Sequence, residues 1–196
     1  MSKISFFEEI KKRFHSRLII TDFFESTINS LFSALEDTLR TEILTGLFFY
    51  GRADFSDRIN YYKDLFSESG LSVYLLSGRF GEGNFKGIAE PIEIPVNYYE
   101  LDEKLFLICD SRFPYLVITR KSEKEDFFSY TGFEKCPILI SDDFQVVNDC
   151  MEFILEQLEK TGLTGSQRSD IERKKNKISR GIVKASKAGI RPSPLF

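Results

Sequence analysis

Three charged side chains follow the first strongly apolar segment of the chain, where they could line a pocket for a small ligand. Arg52, Asp54 and Arg58 come directly after a predicted strand, and α/β proteins place ligands at the carboxyl ends of strands. The same residues are also compatible with a simpler interpretation. Asp54 and Asp57 could cap the helix that follows, with the arginines in surface ion pairs.

A glycine-rich loop, residues 77–87, follows the next predicted strand and carries Arg79, Phe80 and Phe85. Its glycine spacing is neither the dinucleotide fingerprint nor a P-loop, and no helix clearly starts there to direct its dipole at an anion. Phosphate binding is therefore disfavoured. The two phenylalanines either fold back onto the core or form a lid over the ligand pocket that Arg52, Asp54 and Arg58 would line.

The C-terminal segment is strongly basic, whereas the rest of the chain is acidic. Residues 166–196 carry nine basic and two acidic residues, a net charge of +7, and the other 165 residues carry 18 basic and 28 acidic ones, a net charge of −10. Such a segment could bind nucleic-acid phosphates, lipid headgroups or the groove of a partner, or extend into solvent. The candidate contacts are Arg173, Lys174, Lys175, Lys177 and Arg180.

The remaining reactive residue types give no catalytic set. His15 is the single histidine and has no suggestive nucleophile partner, and the spacing of Cys109, Cys136 and Cys150 fits neither a disulfide framework nor a zinc site. We expect the cysteines to be small buried hydrophobic residues, and we expect no metal and no cofactor. The apolar runs are too short for a membrane span and the N-terminus is not a signal peptide, which predicts a cytoplasmic protein.

Hydrophobic periodicity predicts the elements that would position these residues. Amphipathic helices are expected at about residues 2–14, 21–40, 54–67, 142–160 and from 169 onward. Thr21, Ser141 and a box at residues 169–172 would cap three of them. Strands are expected at residues 43–50, 71–76, 92–96, 104–109, 115–120 and 136–140, with residues 18–20 as an extended link.

The order of these elements predicts a mixed α/β fold. A helix between the first two strands indicates a parallel βαβ unit, and the short connection at residues 110–114 indicates an antiparallel hairpin. Helices would flank this central sheet, and a basic helix would follow it. We expect an N-terminal helix and link over residues 1–20, an α/β domain over 21–162 and a basic tail over 163–196.

Eight segments between residues 31 and 160 together resemble a known protein family. They are Ala34–Asp37, Leu47–Arg52, Arg58 with Tyr61–Leu65, Val73–Leu76, Phe106–Asp110, Tyr115–Arg120, Tyr130–Glu134 and Ser141–Phe144. The family is the DICT sensory domain, which is found beside diguanylate cyclases and two-component signalling proteins. The chain differs from that family in having no tryptophan, whereas the family usually has one before the hairpin strand and one near the end. The family has no established catalytic residues, so the resemblance implies a sensory role without assigning a catalytic residue.

These observations predict a non-enzymatic sensory or signalling module that binds a small ligand or a partner protein and regulates in trans, and that could form a homodimer. The alternative is a regulator that associates with nucleic acid through the basic C-terminal helix. A third hypothesis is an enzyme with an unfamiliar site near Arg52, Asp54 and Arg79.

Overall fold

The structure is a computed structural model that describes residues 5–42, 44–51, 59–68, 70–77, 87–93, 103–120, 135–161 and 163–187 of the 196-residue chain. These ranges contain five α-helices, α1 (Phe6–Phe14), α2 (Glu25–Thr41), α3 (Ile59–Glu68), α4 (Phe144–Thr161) and α5 (Gly165–Lys187). They also contain seven strands, β1 (Ile19–Phe24), β2 (Leu47–Gly51), β3 (Ser72–Ser77), β4 (Glu90–Glu93), β5 (Glu103–Cys109), β6 (Tyr115–Arg120) and β7 (Lys135–Ser141). A 3-10 turn, His15–Arg17, follows α1.

The strands form one mixed sheet in the order β1-β7-β6-β5-β2-β3-β4. β2, β3 and β4 run parallel to one another, and α3 connects β2 with β3, which confirms the predicted βαβ unit. The other neighbouring pairs are antiparallel, and β5 and β6 form the predicted hairpin. The mixed α/β fold is therefore confirmed, and β4, which contains Pro91, lies at one edge of the sheet, where a strand tolerates proline.

Side chains of the central strands alternate between two hydrophobic cores, one on each face of the sheet. Leu47 and Phe49 of β2 pack in the core that also takes in α1, α4 and α5, whereas Phe48 and Tyr50 pack against α2 and α3. All four side chains are fully buried. β2 therefore reads as a continuous apolar run, which is the pattern of a strand covered on both faces.

A buried carboxylate fixes the first helix to the sheet. Glu103 of β5 accepts hydrogen bonds from the Ser5 hydroxyl and from the backbone N–H groups of Phe6 at 3.0 Å and Phe7 at 3.3 Å. These N–H groups have no partner within the helix, and negative charge is favoured at a helix N-terminus. Phe7 and Ile10 are fully buried as the predicted helix spacing requires.

The link predicted at residues 18–20 is wrong, because β1 lies there and pairs with β7 from Ile19↔Ile140 to Phe24↔Lys135. Thr21 is consequently a strand residue, and α2 begins only after Phe24 without a side-chain cap. α2 still buries Ile28, Leu35 and Leu39, whose helical spacing led to the predicted helix at residues 21–40. A short edge strand beside a strong helix signal gives little local evidence of itself, because its partner lies more than 100 positions away.

Two other predicted helix starts are also shifted. Asp143, rather than Ser141, caps α4 by accepting from the N–H of Gln145 at 2.8 Å. α5 begins one turn before the predicted box: Gln167 accepts from the N–H of Thr164 at 3.0 Å, and Thr164 accepts from the N–H of Gln167 at 3.3 Å. This reciprocal pair is a capping box in its own right.

Candidate functional site

An open groove of about 660 Å³ lies between α5 and the beginnings of β2 and β3. Its wall on the α5 side contains four basic side chains and an amide, and its wall on the sheet side contains small polar residues. The described lining includes no carboxylate. The residues that line it are Thr45, Gly70, Ser72, Arg173, Lys174, Asn176, Lys177 and Arg180.

Two buried isoleucines hold α5 beside these strands. Ile171 and Ile178 are seven positions apart, which places them on one helix face, and both are buried in the core on that side of the sheet. In the helical repeat Lys174 lies beside this buried stripe, Lys177 lies further round the helix, and Arg173 and Arg180 fall nearly opposite it. The cations therefore extend from the margin of the core around the side of α5 that is turned away from it.

A hydrogen bond between distant residues fixes the same helix more closely. Tyr74 of β3 is 1% exposed, and its hydroxyl donates to a carboxylate oxygen of Asp170 at 2.8 Å. Burial, followed by the bond to Asp170, raises the pKa of Tyr74, which keeps this phenol a neutral donor. Asp170 therefore has a fixed position one turn before the first groove cation.

The wall on the sheet side depends on close approaches of the backbone. A Cβ added to Gly70 would meet the carbonyl oxygen of Leu44 at 2.4 Å, so glycine permits the chain to enter β3 at this point. The N–H of Ser72 donates to the carbonyl of Gly46 at 3.1 Å. The N–H of Thr45 donates to Asp110 at 2.9 Å, which holds the segment before β2 in place.

The five predicted basic contacts do not all face the groove. Lys175 turns toward α4, where its Nζ lies 2.5 Å from Glu152. Burial would lower the pKa of Lys175, but the bond to Glu152 and the charges of Glu152 and Glu172 outweigh that effect and raise it. Lys175 therefore contributes to the attachment of α5, whereas Arg173, Lys174, Lys177 and Arg180 line the groove.

The four groove cations differ in their ion pairing. Asp170 pairs with Arg173 and, at 3.4 Å, with the Nζ of Lys174. Burial would raise the pKa of Asp170, but the hydrogen bonds from Tyr74 and Arg173 and the charge of Lys174 lower it. Within the described part of the chain, Lys177 and Arg180 take part in no ion pair and are exposed.

The residues predicted to line a ligand pocket are not among those that the structure describes. Arg52, Asp54, Arg58, Arg79, Phe80 and Phe85 all lie outside the described residues. The groove lies where β2 and β3 begin, whereas the pocket was predicted where these strands end. Sequence reasoning missed Tyr74, Thr45 and Ser72, whose positions in the chain give no signal that they lie near the basic helix.

Reactive groups elsewhere in the described residues do not form a second site. Cys109, Cys136 and Cys150 are free and buried, as predicted. Burial raises the pKa of the Cys109 and Cys150 thiols to about 12, which suppresses the reactive thiolate. In the described ranges no three His, Cys, Asp or Glu side chains come together as metal ligands. Among the described helices, none is both long and apolar enough to cross a bilayer.

No protein-family model and no curated protein sequence matches this chain. The resemblance to the DICT domain therefore stays a prediction.

Solved structures with a related arrangement include NucT from Helicobacter pylori, which is 12% identical with a TM-score of 0.46 over 74% of this chain and 99% of that one. TrmBL2, an archaeal chromatin protein with a novel mode of DNA binding, is 13% identical with a TM-score of 0.45 over 80% of this chain and 60% of that one. Nuc from Salmonella typhimurium, a phospholipase D family member, is 8% identical with a TM-score of 0.44 over 74% of this chain and 97% of that one.

These structures contradict two of the predictions made from the sequence. TrmBL2 is a chromatin protein that binds DNA, and Nuc is a member of the phospholipase D family, which is named for an enzyme. The predicted non-catalytic signalling module is therefore wrong, and so is the prediction that the chain is not an enzyme. These neighbours give no support to a signalling partner. The likeness is one of backbone arrangement at low identity, and it assigns no residue of this chain a role.

Proposed function

We propose that this protein binds nucleic acid through the groove between α5 and the sheet, by neutralising backbone phosphates. The observation that carries the proposal is the clustering of Arg173, Lys174, Lys177 and Arg180 along one groove whose described lining contains no acidic residue. Lysine and arginine side chains that neutralise phosphates supply most of the affinity of sequence-independent nucleic-acid binding.

The distribution of charge over the chain supports the same proposal. The segment from Ser166 onward carries a net charge of +7 against −10 for the rest. An acidic body repels a polyanion, so binding is confined to the basic side and the nucleic acid has one orientation relative to the sheet. Ile171 and Ile178, which are buried in the core, hold α5 and its cations in position before the nucleic acid binds. This preorganisation reduces the entropy that is lost on binding.

The test is the fluorescence anisotropy of a labelled DNA duplex of about 20 base pairs, or two helical turns, titrated with the full chain. Binding should weaken as salt rises from about 50 to 200 mM, with log affinity linear in log salt. Because each neutralised phosphate contributes about 0.9 to that slope, Lys177→Gln should reduce its magnitude by about 0.9.

The matched control is Lys12→Gln, which removes the same charge from an exposed position on α1. It should leave both the affinity and the slope unchanged. Affinity that does not respond to salt would contradict the proposal, and so would equal effects of the Lys177 and Lys12 substitutions.

A further inference from the structure

We infer that the Asp170 carboxylate acts as an internal substitute for a phosphate: it occupies Arg173 and Lys174, and it limits the groove to two phosphate-contacting cations, Lys177 and Arg180. This inference rests on the proposed function and deepens it by assigning a residue that sets the strength and salt dependence of binding. Asp170 would thus be an acidic residue beside the groove lining that limits the affinity of the basic groove for phosphate.

The first step is the geometry of the carboxylate. One oxygen of Asp170 accepts from the buried Tyr74 hydroxyl at 2.8 Å and lies 3.4 Å from the Nζ of Lys174, and the other oxygen pairs with Arg173. Tyr74 belongs to a central strand and is almost completely buried. The carboxylate is therefore tethered from beneath and remains at the groove when its cations are approached by another anion.

The second step is the division of charge along α5. Arg173 and Lys174 share one fixed acid, whereas Lys177 and Arg180 have no ion-pair partner among the described residues. A phosphate that approaches the first pair meets two cations whose charge is reduced from +2 to +1 by Asp170, and it is repelled by the carboxylate itself. A phosphate that approaches the second pair, one turn further along the helix, meets two uncompensated cations.

Two roles for Asp170 predict effects of opposite sign. If the carboxylate only positions Arg173 and Lys174 for binding, its removal should weaken the complex. If it competes with phosphate, its removal should strengthen the complex, since two cations become available and one repulsive charge disappears. Asp170→Asn tests this directly, because asparagine keeps an acceptor oxygen for the Tyr74 hydroxyl.

The experiment measures the salt slope of duplex binding, by the same anisotropy titration, for the wild-type chain, Asp170→Asn, Arg173→Gln and Tyr74→Phe. With two available cations the wild-type slope should be about −1.8, and Asp170→Asn should bind more tightly with a slope approaching about −3.6. Arg173→Gln should leave the wild-type slope within about 0.3 of its value, unlike Lys177→Gln, which should reduce its magnitude by about 0.9. Circular dichroism melts confirm that each variant is folded at the temperature of measurement.

Tyr74→Phe is the control for a purely structural role. It removes the tether but keeps the carboxylate charge and its ion pairs with Arg173 and Lys174, so it should lower the unfolding midpoint and change the slope less than Asp170→Asn does. Weaker or equal binding by Asp170→Asn would overturn the inference while duplex binding by the wild-type chain left the proposed function standing. If Asp170→Asn alone bound, the inference would hold and the proposed function of the native chain would fail, and binding by neither would overturn both.

Discussion

Single aromatic residues carry much of the core on one face of the sheet. The ring of Phe48 lies 4.8 Å from that of Phe106, 5.5 Å from that of Tyr50 and 6.1 Å from that of Phe66, measured between centroids. These spacings are those of favourable aromatic pairs. Phe48 thus joins two neighbouring strands and one helix at a position with no access to solvent.

Phe48→Ala should lower the free energy of unfolding by about 3–5 kcal/mol, because it removes a buried ring and leaves a cavity among three aromatic neighbours. The measurement is a urea denaturation series followed by circular dichroism. Phe24→Ala is the matched control: Phe24 is 41% exposed at the sheet edge, so the same change should cost about 1 kcal/mol or less. Similar losses for both variants would show that the burial of β2 does not determine stability here.

The burial of many apolar residues was predictable from their helical spacing, although Phe24, which continues the spacing of Ile28 and Leu35, is 41% exposed. Phe7 and Ile10 of α1, and Tyr62 and Phe66 of α3, follow helical spacing and are buried. Buried polar residues could not be predicted in this way. Glu36 accepts from the hydroxyl groups of Tyr50 at 2.7 Å and Tyr61 at 2.9 Å, and its burial depends on partners that only the folded chain brings close.

At the level of helices and strands, the accuracy of prediction followed the strength of local signals. β6 (Tyr115–Arg120) has the predicted bounds, and β3, β5 and β7 differ from theirs by one residue at one or both ends, because short polar segments flank these apolar runs. β1 was missed because its existence depends on pairing with β7 rather than on its own pattern. The predicted capping residues lie within about two helical turns of the actual helix starts but are not the residues that cap. Several Ser, Thr and Asp side chains near a helix start can each serve as the cap, so the sequence does not single one out.

The start of α4 gives a pH-dependent prediction. Burial would raise the pKa of Asp143, but hydrogen bonds from Arg17 and from the N–H groups of Val146 and Gln145 hold it below its usual 3.8. A carboxyl whose pKa is lowered by folding stabilises the native state above its unfolded pKa and loses that contribution as pH falls through the folded pKa. The unfolding free energy should therefore decline below about pH 4, and Asp143→Asn should make that decline shallower.

The measurement is urea unfolding of the two proteins between about pH 5 and pH 2. Part of the decline should persist in Asp143→Asn, because the pKa of Asp170 is also lowered in the folded chain. Asp142→Asn provides the comparison, since it removes the neighbouring exposed carboxylate and leaves the capping bonds intact. An identical pH dependence in wild type and Asp143→Asn would show that this cap adds no acid-sensitive stability.

For the molecule as a whole, the sequence indicated the charge division but not where it would act. The basic segment was evident from composition, and four of its five named cations line one groove. The groove itself could not be predicted, because its other wall comes from the starts of β2 and β3, about 100 residues earlier. Tyr74 and Asp170 are 96 positions apart, and neither residue type marks the contact between them.

Because α5 is both part of the core and a wall of the groove, its two faces should be separable by mutation. Ile171→Ala should cost about 2–5 kcal/mol of unfolding free energy, since Ile171 is 1% exposed within the core. Measured in the folded state, its duplex binding should keep the wild-type salt slope. Lys177→Gln should change the free energy of unfolding by no more than about 0.5 kcal/mol and should reduce the magnitude of the salt slope.

The measurements are urea denaturation and duplex anisotropy on the same preparations of both variants. A change of slope in Ile171→Ala equal to that in Lys177→Gln would mean that the nucleic acid responds to the placement of the helix as a whole rather than to its basic face.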